Sequence, residues 1–128
     1  MGTVRHVTLR VLVVDDHPAI LRHVSSWVEA TGVASVVATS SEPAAVPELW
    51  SELRPDVTLC DVHMPDLDGF ELCQRLRTEH PSAVVLLFSA RDDRTMHDSA
   101  ATAGACGLVS KTATSAELAD VLRSITTP

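Results

Sequence analysis

The sequence has no basic run. Its ten Lys and Arg residues are scattered among seventeen Asp and Glu, for a net charge of −7. Nucleic-acid backbones are held by clustered Lys and Arg, so this stretch is not expected to bind nucleic acid itself. No apolar run approaches the about 20 residues of a membrane span. The first ten residues carry Arg5 and Arg10 but no hydrophobic segment of the secretory kind. Three cysteines, Cys60, Cys73 and Cys106, make an odd count without a C-x-x-C pair. They fit reduced thiols of a cytoplasmic protein, not a disulfide scaffold. The six histidines are scattered, with no pair at zinc-ligand spacing. No repeat, low-complexity tract or interdomain linker is visible. What remains is 128 residues with 45% apolar content, enough for a single domain with a sizeable core.

The apolar pattern predicts five strands alternating with five helices. Residues 1–8 read as a loose lead-in. Strands are expected over Leu9 to Val14, Val33 to Thr39, Val57 to Cys60, Ala83 to Phe88 and Gly107 to Ser110. Between them, Ile20, Val24, Trp27 and Val28 share one helical face behind Pro18, and Gly32 closes that helix. A second helix is expected over Ser41 to Leu53, with Pro47 either kinking it or delaying its start. A third runs from Phe70 to near Pro81, and a fourth, polar and alanine-rich, over 92–103. The last opens on the capping box Thr114-Ser115-Ala116-Glu117 and carries the stripe Leu118, Val121, Leu122 and Ile125. Connections this short require parallel strands with helices on both faces, a doubly wound α/β sheet.

Polar residues recur where these strands end. Asp15 and Asp16 follow the first, Asp61 the third, Ser89 the fourth and Lys111 the fifth. In an open parallel sheet all of them reach the carboxyl edge, where ligands bind. Lys111 is also the only lysine, beside nine arginines. A compact ammonium suits a crowded phosphate site that a forked guanidinium would not fit. Three carboxylates close together repel unless a cation enters, and an oxygen-only set with room for water favours Mg²⁺. Mg²⁺ and an ammonium together make a locus for a phosphoryl group, which a carboxylate can attack to give an acyl phosphate.

Asp15-Asp16, Asp61 followed by Met64-Pro65 and Gly69, Ser89-Ala90, Gly104-Ala105 and Lys111 together resemble the receiver domain of two-component response regulators, over roughly residues 8–126. The Asp-Asp-His-Pro form at 15–18 is similar to the NarL/LuxR-type subgroup, whose output is often a helix-turn-helix. The resemblance implies a CheY-like, flavodoxin-like fold with strand order 2-1-3-4-5. It implies Asp61 as phosphoacceptor and Mg²⁺ held by Asp15, Asp16, Asp61 and the His63 backbone carbonyl. Ser89 would be the switch hydroxyl, Lys111 the phosphate partner and a sensor histidine kinase the donor.

Two positions depart from the family pattern. Leu108 stands at the switch position where Tyr or Phe is common, in a chain with no Tyr, and Thr112 follows the lysine where Pro is common. Only Thr126-Thr127-Pro128 follow Ile125, so a single receiver over 1–128 without an output domain is expected, acting as a signalling module and not as an enzyme. Docking or homodimerisation through residues 92–123 is expected, with Arg91, Asp93, Arg94 and Arg123 offering charge. A stand-alone receiver acting by protein contacts is the alternative. A Mg²⁺-dependent aspartyl phosphatase of the haloacid-dehalogenase type would want a second Asp two residues after Asp61, where His63 stands. A flavin carrier would want a phosphate loop where Asp15-Asp16 would repel the phosphate.

Overall fold

The computed structural model describes residues 8–126. The lead-in expected at the N-terminus lies, but for its last residue, outside the described residues. Strands β1 (Leu9–Val14), β2 (Ala34–Ser40), β3 (Val57–Asp61), β4 (Val85–Ser89) and β5 (Gly107–Ser110) form one sheet in the order β2-β1-β3-β4-β5. Every pairing is parallel. Helices α1 (Pro18–Glu29), α2 (Val46–Leu53), α3 (Gly69–Glu79), α4 (Arg94–Thr102) and α5 (Ser115–Thr126) alternate with them. The sheet is therefore doubly wound, flavodoxin-like, with the expected strand order.

The period of two along each strand divides the core into two layers. Val11, Val13, Leu59, Leu86, Phe88 and Val109 pack with Leu21, Val24 and Val28 of α1 and Leu118 and Leu122 of α5. Leu12, Val14, Cys60, Leu87 and Leu108 pack on the other face with Trp50 of α2, Leu72 and Leu76 of α3, and Met96 and Ala100 of α4. β3 is the central strand and all five of its residues are buried. Its near-continuous apolar run is the signature of a strand covered on both faces.

Helix ends follow local chemistry. The Glu117 N–H donates to Thr114 Oγ1 (3.1 Å) while the Thr114 N–H donates to the Glu117 carboxylate (3.2 Å), the reciprocal pair of a capping box. Asp68 accepts from the Glu71 N–H at 2.9 Å and Asp93 from the Met96 N–H at 3.0 Å. Gly32 and Gly104, after α1 and α4, have φ of +74° and +91°, a region that side chains disfavour.

Pro47 delays its helix without kinking it. A single 3-10 turn over Pro43–Ala45 comes first, and α2 starts at Val46 with Pro47 in its first turn, where no N–H is needed. β4 begins two residues later than expected because Ala83 belongs to a turn: its N–H donates to the His80 carbonyl (2.9 Å) and its carbonyl accepts from Arg77 (3.0 Å). β2, the long edge strand, carries a bulge. The register steps from Val11↔Val36 to Leu12↔Ala38 and leaves Val37 unpaired and exposed. Glu29 reaches from the end of α1 to accept the Val36 N–H at 2.7 Å, so a carboxylate covers part of that edge.

These layers set different costs for different apolar residues. Leu118→Ala, in the α5 layer, is expected to lower the unfolding free energy by about 2–5 kcal/mol. Val37→Thr, on the bulge, is expected to change it by no more than about 0.5 kcal/mol. Urea denaturation of both variants checks the contrast.

Candidate functional site

Parallel pairing brings the five strand-end residues together. β1 and β3 are in register at Val14↔Cys60, so one further step sets Asp15 beside Asp61. β3 and β4 pair Asp61 with Phe88, and β4 and β5 pair Ser89 with Ser110, one residue before Lys111. The backbone closes the last step, since the Lys111 N–H donates to the Ser89 carbonyl at 2.9 Å.

Asp15, Asp61 and Ser89 are buried, and Asp16 is half-buried. Lys111 Nζ lies 3.2 Å from Asp61 Oδ1, with the lysine side chain 31% exposed and that of Asp61 2%. The His63 N–H donates to the same oxygen at 3.3 Å. Both contacts fall on Oδ1. The Ser89 hydroxyl accepts from the Arg91 N–H at 3.0 Å, which fixes the start of the β4–α4 loop.

His17 faces the acidic pair. Its backbone N–H donates to Asp15 Oδ1 at 2.9 Å, and its Nδ1 lies 3.3 Å from the same oxygen and 2.9 Å from Asp16 Oδ1. Burial pushes the Asp15 carboxyl above its ordinary range, and the neighbouring Asp61 adds to this; the hydrogen bonds from His17 and the Lys111 charge pull against it. Asp15 Oδ2 and Asp16 Oδ1 are buried and accept no hydrogen bond. A buried acceptor left without a partner costs about 1–3 kcal/mol. Oxygen atoms lacking donors beside a third carboxylate are a donor set that fits a hard divalent cation such as Mg²⁺.

Three features of the site were not anticipated. A Cβ on Gly69 would lie 2.3 Å from the Asp61 carbonyl oxygen and 2.8 Å from Val62 Cα. The first residue of α3 thus touches the backbone that presents Asp61, and the Gly69 N–H donates to the Val62 carbonyl at 2.9 Å. The glycine is needed for close approach here and not for a positive φ. Lys111 Nζ also sits 5.4 Å from the centre of the Phe88 ring, a cation–π distance, so the buried ring supports the ammonium from the α1–α5 side. His17 is the third. A strand-end Asp-Asp signal and the Pro18 that follows could have flagged it; nothing in the sequence flags Phe88.

Leu108 is buried in the α2–α3–α4 layer. It also borders a shallow surface depression of about 380 Å³ lined by Asp92, His97, Thr112, Glu117 and Val121 among others. Of the charges expected to serve a partner there, Arg91, Asp93 and Arg123 also pair within the chain, as do Asp92 and His97. Arg91 pairs with Asp93 (2.7 Å), His97 with Asp92 (2.5 Å) and Arg123 with Asp120 (3.3 Å). No described helix is long and apolar enough to cross a membrane.

The profile of the response regulator receiver domain matches residues 11–123. The chain belongs to the response regulator receiver family. Among curated receivers it is 34% identical to the NarL transcriptional regulator of Mycobacterium tuberculosis over 86% of this chain and 51% of that protein. It is 32% identical to the transcriptional regulatory protein LiaR of Bacillus subtilis over 91% of this chain and 55% of that protein. The chain therefore spans about half the length of these relatives. The signal receiver domain of NarL from M. tuberculosis superposes with a TM-score of 0.83 at 32% identity, covering 94% of this chain and 97% of that one. A LuxR-family response regulator from Aurantimonas sp. gives 0.85 at 28% identity, covering 93% and 85%. The chain is thus a CheY-like receiver of the NarL/LuxR type.

The raised carboxyl of Asp15 has a consequence for stability. The native state holds the Asp15 proton more tightly than the unfolded chain, so this residue favours folding at acid pH. That contribution is lost as pH rises from the ordinary carboxylate value, 3.8, through the raised native one. Asp15→Asn, which keeps an acceptor for the His17 N–H, is expected to raise the metal-free melting temperature at neutral pH. The gain should shrink toward pH 3, and melting curves across that range in chelator-containing buffer measure it.

Proposed function

We propose that the chain is a phosphoacceptor. Asp61 takes a phosphoryl group from the phosphohistidine of a sensor histidine kinase, and the acyl phosphate switches what the domain binds. The observation that carries this reading is the pairing of Asp61 Oδ1 with Lys111 at 3.2 Å, beside buried carboxylate oxygens that have no donor of their own. With Oδ1 engaged, Oδ2 is the attacking atom. It forms the new P–O bond as the P–N bond of the donor breaks. The electron pair stays on the departing nitrogen, which leaves as neutral imidazole when the other ring nitrogen carries a proton.

The residues divide the work of charge and position, which is most of what phosphoryl transfer asks of a protein. Lys111 places its charge against the phosphoryl oxygens, held by Asp61 before reaction and by the Phe88 ring. Ser89 can offer its hydroxyl proton to a phosphoryl oxygen while still accepting from Arg91. Asp15, Asp16, Asp61 and the His63 carbonyl would hold Mg²⁺, which supplies neutralisation of the phosphoryl charge. Gly69 keeps α3 clear of the Asp61 backbone. In the longer regulators the readout is control of transcription through an attached output module, and docking or self-association through residues 92–123 is the route suggested for this domain. A receiver acting alone through protein contacts would use the same chemistry.

Incubation with acetyl phosphate and Mg²⁺ is expected to add one phosphoryl group by intact mass, in wild type and not in Asp61→Asn. An adduct that persists in Asp61→Asn, or none in wild type with any donor, overturns the reading.

Leu108 bears on how the signal leaves. It is smaller than the common aromatic, has no hydroxyl and is buried in the α4 layer, so it gains little by exchanging core for water. A hydrogen bond from Ser89 to a charged phosphoryl oxygen, by contrast, is favourable by about 1.5–3 kcal/mol. A beryllofluoride phosphate mimic is expected to give large amide shift changes at 89–94 and small ones at 108–118, with Leu108→Tyr enlarging the second set. Equal changes in both stretches, indifferent to that substitution, count against it.

A further inference from the structure

His17 stands outside the roles assigned so far, and its position is that of a ligand. We infer that His17 Nδ1 completes a mixed oxygen–nitrogen metal site with Asp15 and Asp16, so that late first-row divalent ions compete at the site with Mg²⁺. The inference rests on the reading that the acidic pair holds a divalent cation.

One ligand atom from each of Asp15, Asp16 and His17 lies within 4.8 Å of the others. Nδ1 is 2.9 Å from Asp16 Oδ1, yet that oxygen accepts no hydrogen bond, so the two atoms approach without a proton correctly placed between them. Ligand atoms about 2.1 Å from a shared octahedral ion are spaced about 3 Å apart. The 2.9 and 3.3 Å separations of Nδ1 from the two carboxylates have that spacing. A second, independent observation is Asp15 Oδ2, which belongs to a fully buried side chain and has no partner.

The backbone holds the imidazole in place. His17 is the N-cap of α1 in an extended conformation (φ −105°, ψ 115°), the region that the following Pro18 enforces. Its N–H is tied to Asp15 Oδ1, while its side chain is 65% exposed, so the ring packs against little. Nδ1 would ligate through its lone pair, in the neutral tautomer whose proton is on Nε2. Imidazole nitrogen adds little affinity for Mg²⁺, which prefers oxygen, and much for Ni²⁺ or Cu²⁺.

Calorimetric titration of the full chain with MgCl₂ and with NiCl₂, in wild type and His17→Ala, tests this. The Ni²⁺ affinity is expected to fall by at least about tenfold in the variant, the loss typical of disturbing a metal site, with the Mg²⁺ affinity unchanged. Stoichiometric Cu²⁺ should show nitrogen hyperfine structure by electron paramagnetic resonance in wild type, and this should vanish in His17→Ala. Equal losses for both metals, no loss for Ni²⁺, or a copper spectrum indifferent to the substitution overturns the inference. A wild type that forms the Asp61 adduct with Mg²⁺ but fails these tests overturns this inference alone. A His17-dependent Ni²⁺ site in a chain that never forms the adduct supports it and sinks the phosphoacceptor reading.

Discussion

Repulsion among Asp15, Asp16 and Asp61 is the constraint on which the rest of the carboxyl edge depends. Two unit charges about 4 Å apart at an effective dielectric of about 20 interact by roughly 4 kcal/mol. One ammonium, Lys111, stands against three carboxylates. When all are ionised the balance is two negative charges, which one divalent cation would neutralise. Two features of the protein answer to the crowding: the Asp15 carboxyl is raised, by burial first and by Asp61 after it, and His17 sets its ring against Asp15 and Asp16. Neither device supplies donors for Asp15 Oδ2 or Asp16 Oδ1. The site is thus held in a state that ligands improve, which is how a binding site differs from a structural ion pair.

The sheet makes this tension tolerable. The strands that deliver the charges are anchored in two apolar layers, and β3 is buried along its whole length. The carboxylates sit where the strands end, so their burial comes from neighbouring loops and not from the middle of the core. Gly69 shows how close that packing is. α3 begins against the Asp61 backbone with no room for a methyl group, which ties the position of Asp61 to the helix after it. Phe88 does the same for Lys111 from the opposite layer. Asp61 is thus packed against α3, and Lys111 against the Phe88 ring, whose residue pairs with Asp61 in the sheet.

Much of this was legible in the sequence because parallel α/β chains carry two independent signals. Apolar runs located the strands, and polar residues at their ends located the edge. Asp15, Asp61, Ser89 and Lys111 were placed together by that reasoning, and their convergence is what the register shows. Strand order came from the resemblance, since periodicity says which face a residue takes but not which strand lies beside it. For the same reason the contact of Phe88 with Lys111 was hidden, while His17 carried a positional signal between the Asp-Asp pair and Pro18. The bulge at Val37 was hidden too, because an extra residue in a strand leaves the apolar composition unchanged. Gly69 was visible as a turn residue, but its need to touch the Asp61 backbone belongs to the packing of α3. The short-range pairs of Arg91 with Asp93 and of Arg123 with Asp120 were not visible, because sequence does not reveal pairing within a loop or helix.

Those local pairs bear on how the edge communicates with the surface. Ser89 Oγ accepts from the Arg91 N–H; Arg91 pairs through its side chain with Asp93; and Asp93 caps α4 by accepting from the Met96 N–H. Asp92 holds His97, one turn further along the same helix. A hydroxyl can donate and accept at once, so Ser89 can turn its proton toward a new acceptor without releasing Arg91. Hydrogen bonds thus run from Ser89 to the N-terminus of α4, and those made by the Arg91 and Asp93 side chains involve charged groups, whose bonds are stronger than neutral ones. That line of contacts does not cross β5. Leu108 borders it only through apolar packing with the α4 layer, a contact with no directional preference. In this chain the side-chain hydrogen bonds leading outward from Ser89 lie in the β4–α4 loop, while Lys111, just past β5, is tied to Ser89 through its backbone N–H.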